Sequence, residues 1–160
     1  MDIAAFFTRF EHYIYVLGIS MLPIIELKGA MPVGLALGLG TWNTFFTALI
    51  GSCLPIPFLI LLIRKILEWL SVCRIPLFNR FGAFLNRKIE KGQNSRAFRT
   101  SAILGLFLFV AIPLPTTGVW TGSMIAGVLK IPLKIAWPII VLGNTVAGLI
   151  VLFASHLIIL

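Results

Sequence analysis

Apolar residues run through this chain in long blocks that charges interrupt at few places. Residues 29–63 carry no Lys, Arg, Asp or Glu, residues 100–129 carry none, and nothing charged follows Lys134. A helix needs roughly 20 apolar residues to cross a bilayer, so each block is long enough. Within the blocks, prolines and glycines divide the pattern. The stretch Pro113-Leu-Pro115-Thr-Thr-Gly118 separates a leg at residues 101–112 from one at 119–129. At ~1.5 Å per residue each leg is under roughly 20 Å, too short for a ~30 Å hydrocarbon core. Two short legs around a Pro/Gly break predict a re-entrant hairpin or a broken spanning helix. Irregular backbone at that depth is tolerated only where protein covers it or water reaches it.

The same order occurs earlier. A leg at residues 13–25 is followed by Glu26-Leu-Lys-Gly29-Ala-Met-Pro32, then a second leg at 33–39. Full spans follow both hairpins, at 42–63 with a kink expected at Pro55 and Pro57, and at 131–157. Gly29 to Gly38 and Gly118 to Gly127 each cover nine residues, and Gly51-Ser52 resembles Gly143-Asn144. The expected fold is all-α and membrane-embedded: two repeats, each a re-entrant helical hairpin plus a transmembrane helix, over 12–63 and 100–158. One integral membrane domain takes up the whole of 1–160.

Composition agrees. Hydrophobic residues make up 59% of the chain and charged ones 11%, against about 25% charged in soluble domains. The formal charge of +8 is unevenly placed. Residues 64–99 hold nine of the 13 basic residues against two acids, a net +7. That concentration marks a cytoplasmic loop, not the basic surface of a nucleic-acid binder. Inside it, Pro76 and Gly92 bracket a predicted amphipathic helix. Leu77, Phe78, Phe81, Leu85 and Ile89 would lie on the membrane, with Arg80, Arg87, Lys88 and Lys91 largely opposite. With the basic segment inside, the first hairpin enters from outside and the second from inside, so the two repeats are inverted. Inverted repeats with broken helices are the build of many secondary transporters. The N-terminus has no basic region or cleavage site of a signal peptide, and Cys53 and Cys73 show no metal or redox spacing.

The motif Pro23-Ile-Ile-Glu26-Leu-Lys-Gly29-Ala-Met-Pro32-Val-Gly34, with Ala111-Ile-Pro113-Leu-Pro115-Thr-Thr-Gly118-Val-Trp120-Thr-Gly122, resembles the small multidrug export family. The likeness covers nearly the whole chain and implies a small exporter. More distantly the chain is similar to the DedA family, whose members have facing re-entrant hairpins and are implicated in moving phosphorylated lipids, with proton coupling suspected. The DedA stretch Arg-Phe-Ile-Pro-Gly-Val-Arg corresponds here to Val110–Thr116, where both arginine positions are uncharged. That departure weighs against a phosphate headgroup as the transported group.

Glu26 is the sharpest candidate, because a carboxylate inside a membrane is costly and marks function by default. It would carry a proton or meet a cation; otherwise it pairs with Lys28 or caps broken backbone. Lys28 would contact substrate, pair with Glu26 or snorkel to the surface. Pro32, Pro113, Pro115, Thr116, Thr117 and Gly118 would shape the two breaks and supply polar groups. Thr121 and Ser123 add hydroxyls. Trp120 would cover a ligand or pack, and Asn144 would bond from the last span to a hairpin. No enzyme motif stands out: His12 and His156 lie near opposite ends, and no metal or cofactor site is expected. The expected function is export of a small amphipathic molecule across the cytoplasmic membrane, with proton coupling through Glu26. The competing readings are a DedA-like lipid translocase and a non-transporting protein that organises the membrane. Membrane lipids, a small substrate, protons and a second copy of the chain are the expected partners; nucleic acid is not.

Overall fold

A computed structural model describes residues 3–72, 87, 95–114 and 117–159. Among them the regular structure is all helical. In chain order the elements are α1 (Ile3–Ser20), α2 (Glu26–Ala36), α3 (Thr41–Cys53), α4 (Ile56–Val72), α5 (Arg96–Ala111), α6 (Val119–Val128) and α7 (Leu133–Ile159). The amphipathic helix expected between Pro76 and Gly92 lies outside the described residues, apart from Arg87.

Two stretches are long and apolar enough to cross a membrane, Thr41–Leu70 and Leu133–Ala154. The first joins α3 and α4 across Leu54 and Pro55. There the Leu54 N–H still bonds the Ile50 carbonyl and the Leu59 N–H the Pro55 carbonyl, so the helix kinks rather than ends. By contrast α2 and α6, with 11 and 10 residues, are roughly 15 Å long and cannot cross alone.

The second break falls where the prolines and Gly118 place it. The first does not. The chain turns at residues 21–25, Glu26 opens α2, and Pro32 sits inside that helix and is exposed. Pro32 removes one hydrogen bond from α2 without ending it, as the helix is packed along its buried side through Leu27, Ala30, Met31 and Gly34.

Polarity is arranged opposite to that of a water-soluble protein. Ser20, Thr44, Ser52, Ser123 and Asn144 are buried, while Phe46, Ile50, Phe58, Leu61, Leu142 and Phe153 are about half exposed or more. Such a surface suits lipid, where apolar side chains lose nothing by facing outward and helices associate through close packing and internal hydrogen bonds. The interior has two apolar clusters. One joins α1, α2 and α3 to Leu152 near the end of α7, around Val16, Leu27, Met31 and Phe45. The other joins α4, α5, α6 and the start of α7, around Ile60, Val110, Val119 and Ile140. Both long stretches therefore serve both clusters.

Like features recur 92 residues apart. Gly51 of α3 lies against the Leu17 carbonyl of α1, and Gly143 of α7 lies against the Phe107 carbonyl of α5. The short helices end alike: the N–H groups of Gly38 and Leu39 bond the carbonyls of Leu35 and Gly34, and those of Lys130 and Ile131 bond Gly127 and Ala126. Each is a Schellman ending with a left-handed residue, Gly38 at φ 75° and Lys130 at φ 53°. The nine-residue glycine match does not follow the packing: Gly38 ends a helix with open space around it, whereas Gly127 is inside α6 against Ile63.

Candidate functional site

The turn before α2 and the turn before α6 meet, and all the charge at the contact comes from the first. Glu26, 6% exposed, directs its carboxylate at the start of α6. Its Oε1 accepts a hydrogen bond from the Trp120 N–H at 3.1 Å, and the Val119 N–H also bonds the carboxylate. Gly118, the residue before α6, has extended backbone and no side-chain cap. Glu26 therefore caps α6 from another helix, satisfying N–H groups that a helix start leaves open and placing negative charge at its positive end. A Cβ at Gly118 would overlap that carboxylate, so the contact requires glycine there.

Lys28, two residues further along α2, reaches the same loop. Its Nζ donates to the Leu114 carbonyl at 3.1 Å and to the Thr117 carbonyl. The Leu114 carbonyl also accepts from the Thr117 N–H at 3.2 Å, so the ammonium joins a turn already closed within the loop, and it is a strong donor for such carbonyls. Thr117 holds the loop in shape: its hydroxyl donates to the Ile112 carbonyl at 2.7 Å and accepts from the Leu114 N–H at 3.2 Å. The Trp120 indole N–H closes the contact from the other side, donating to the Met21 carbonyl at 3.0 Å.

Glu26, Lys28, Thr117, Gly118 and Trp120 thus form one cluster. Pro113 borders it, Pro115 and Thr116 lie outside the described residues, and exposed Pro32 lies away from the turn. Lys28 does not snorkel outward; its bonds go to the opposite loop. Asn144 bonds the other long stretch rather than a hairpin: its Nδ2 donates to Ser52 Oγ at 2.7 Å, joining two positions that themselves correspond in the 92-residue register. Among the described residues no group of three or more His, Cys, Asp or Glu is placed to hold a metal.

The all-helical fold with its two long apolar stretches fits a membrane protein. Residues 26–150 match the family described as "Putative small multi-drug export protein". The chain belongs to that family. No curated protein matches it, and no solved structure matches it. The matched region begins at Glu26 and takes in α2, the first long stretch, the basic segment, the second turn and most of the second long stretch, and the family points to transport rather than catalysis.

Residue spacing did not reveal a separate apolar groove of about 710 Å³ between the two long stretches. Leu49, Ile50, Cys53, Pro57, Trp137 and Pro138 line it, with Lys134 as its charged residue. Cys53 shows no metal or redox spacing in isolation, and only the kinked course of α3–α4 beside α7 opens the space between it and Trp137.

Proposed function

We propose that this chain is a small exporter of the cytoplasmic membrane, built as one domain from two inverted repeats. In each repeat a re-entrant hairpin (α1–α2 or α5–α6) precedes a span (α3–α4 or α7). The repeat is supported by the paired Schellman endings and by Gly51 and Gly143 in matching helix contacts. The inversion is supported by the net +7 between the halves, which sets that segment inside.

The carrying observation is the Glu26 carboxylate held by the Trp120 N–H of the opposite hairpin. Protonating Glu26 removes the charge that attracts it to the α6 start and leaves a neutral acceptor. The contact between the halves then weakens, which is how a proton would be coupled to movement of one repeat against the other. Glu26 itself sits at φ 46°, a left-handed backbone that costs roughly 1–2 kcal/mol for a residue with a Cβ. Separating the hairpins lets that strain relax, favouring release once the proton has arrived.

The substrate is an amphipathic molecule whose apolar body occupies the groove between the long stretches; its size falls in the range of small-molecule sites. Glu26 does not line that groove, and Lys134 does. Neutral or anionic amphiphiles therefore fit better than the cations the buried carboxylate first suggested.

The test is gradient decay in proteoliposomes with an imposed pH difference, comparing wild type with Glu26→Gln at equal folded incorporation. Substrate-dependent decay in wild type, lost in the variant, is the expected result. Equal decay in both proteins would remove Glu26 from the coupling. A variant that inserts poorly yet transports normally per folded molecule would make Glu26 a structural cap.

A further inference from the structure

A second cavity, of about 350 Å³, opens at the other end of α6. Its walls come from the first turns of α5, the end of α6 and the start of α7. Ala102, Ile103, Ile131 and Ile135 make it apolar, while Arg99 and Lys130 bring positive charge from two different elements. A third cation is adjacent: the Arg64 guanidinium of α4 donates through Nη2 to the Ile131 carbonyl, and its Nε–H is buried with no hydrogen-bond partner. Two basic side chains thus line one small hollow, Arg99 from the end of the +7 segment and Lys130 from the end of α6, and Arg64 touches its wall at the Ile131 carbonyl.

Lys130 is also costly where it stands. It occupies the left-handed position of a Schellman ending, where its counterpart in the first repeat is Gly38. Glycine adopts that backbone freely and lysine does not. Helix ending alone would be served better by glycine, so the ammonium at this position has a use beyond the turn. The end of α6 carries partial negative charge, which a lysine there partly offsets. That accounts for a cation at the helix end but not for the cavity or for Arg99 across it.

We propose that this cavity is a binding site for an anionic phospholipid, with the phosphodiester between Arg99 and Lys130 and the upper part of an acyl chain on Ile103, Ile131 and Ile135. Charge complementarity selects the occupant: basic pockets between transmembrane helices on the cytoplasmic side take anionic headgroups. An apolar floor suits a lipid, whereas a free phosphate ion has no use for it. The site is separate from the Glu26 contact and from the apolar groove, and it does not depend on whether the chain transports.

The test is native mass spectrometry and thermal unfolding of the full chain in a non-ionic detergent, titrated with phosphatidylglycerol, phosphatidylcholine of the same chains, or inorganic phosphate. Phosphatidylglycerol should be retained and should raise the unfolding temperature; the other two should not. Arg99→Gln and Lys130→Gln should each weaken phosphatidylglycerol retention about fivefold, while Lys65→Gln, outside the cavity, should not. Lys130→Gly guards against misfolding: it should unfold at a higher temperature than wild type without lipid, yet lose the lipid response. Equal retention of both lipids, or retention unchanged in the Arg99 and Lys130 variants, would overturn the proposal. Stabilisation by inorganic phosphate to the same extent would overturn the lipid assignment in favour of a soluble anion.

Discussion

The two hairpin turns meet face to face but contribute different chemistry. The first brings charged side chains, Glu26 and Lys28; the second answers mainly with main chain, the Trp120 N–H and the carbonyls of Leu114 and Thr117. Both halves of a broken helix are represented in the answer. The start of α6 supplies N–H groups to an anion, and the loop after α5 supplies carbonyls to a cation. A break in a helix thus serves as a polar receptor without any ionisable residue of its own. That also explains why a turn without charge can be as important to the site as the one that carries it.

The difference can be broken from either side. Glu26→Leu should have the largest effect: it leaves the α6 N–H groups unsatisfied and Lys28 without a nearby opposite charge. A loss of about 3–5 kcal/mol is expected from breaking one side of a buried charged contact, read as a fall in unfolding temperature in detergent and in the yield of folded protein. Gly118→Ala attacks from the main-chain side. Its methyl overlaps the Glu26 carboxylate, so overpacking of about 1–3 kcal/mol is expected in the same assay. If Gly118→Ala is neutral, the carboxylate does not rest on that loop. Trp120→Phe should have the smallest effect, about 0.5–1.5 kcal/mol for the lost bond to the Met21 carbonyl. It keeps the Trp120 main-chain N–H to Glu26, so proton-coupled flux should survive it while Glu26→Gln abolishes it.

The helical character and the two stretches long and apolar enough to cross a membrane were legible because they depend on local composition. Charge-free runs and proline positions suffice for α3–α4, α7 and the break before Gly118. The first break was misplaced because its strongest local signals mislead. Gly29 and Pro32 look like breakers, yet both lie within α2, and the chain turns at residues 21–25, just before Glu26 opens that helix. Glu26, Lys28 and Gly118 were picked out as unusual, but not what they touch, since those contacts join residues 86 to 94 positions apart. The Ser52–Asn144 bond and both cavities are likewise products of packing between distant helices, and no periodicity along the chain encodes them.

The indole of Trp120 has an optical consequence. Trp42, Trp69 and Trp137 are each close to half exposed or more, on the outward surface. Replacing those three with phenylalanine leaves a single tryptophan, whose N–H is bonded to the carbonyl of Met21 in the opposite turn. Its emission wavelength and its accessibility to quenchers then report, in real time and without an attached label, whether the two hairpins are together or apart.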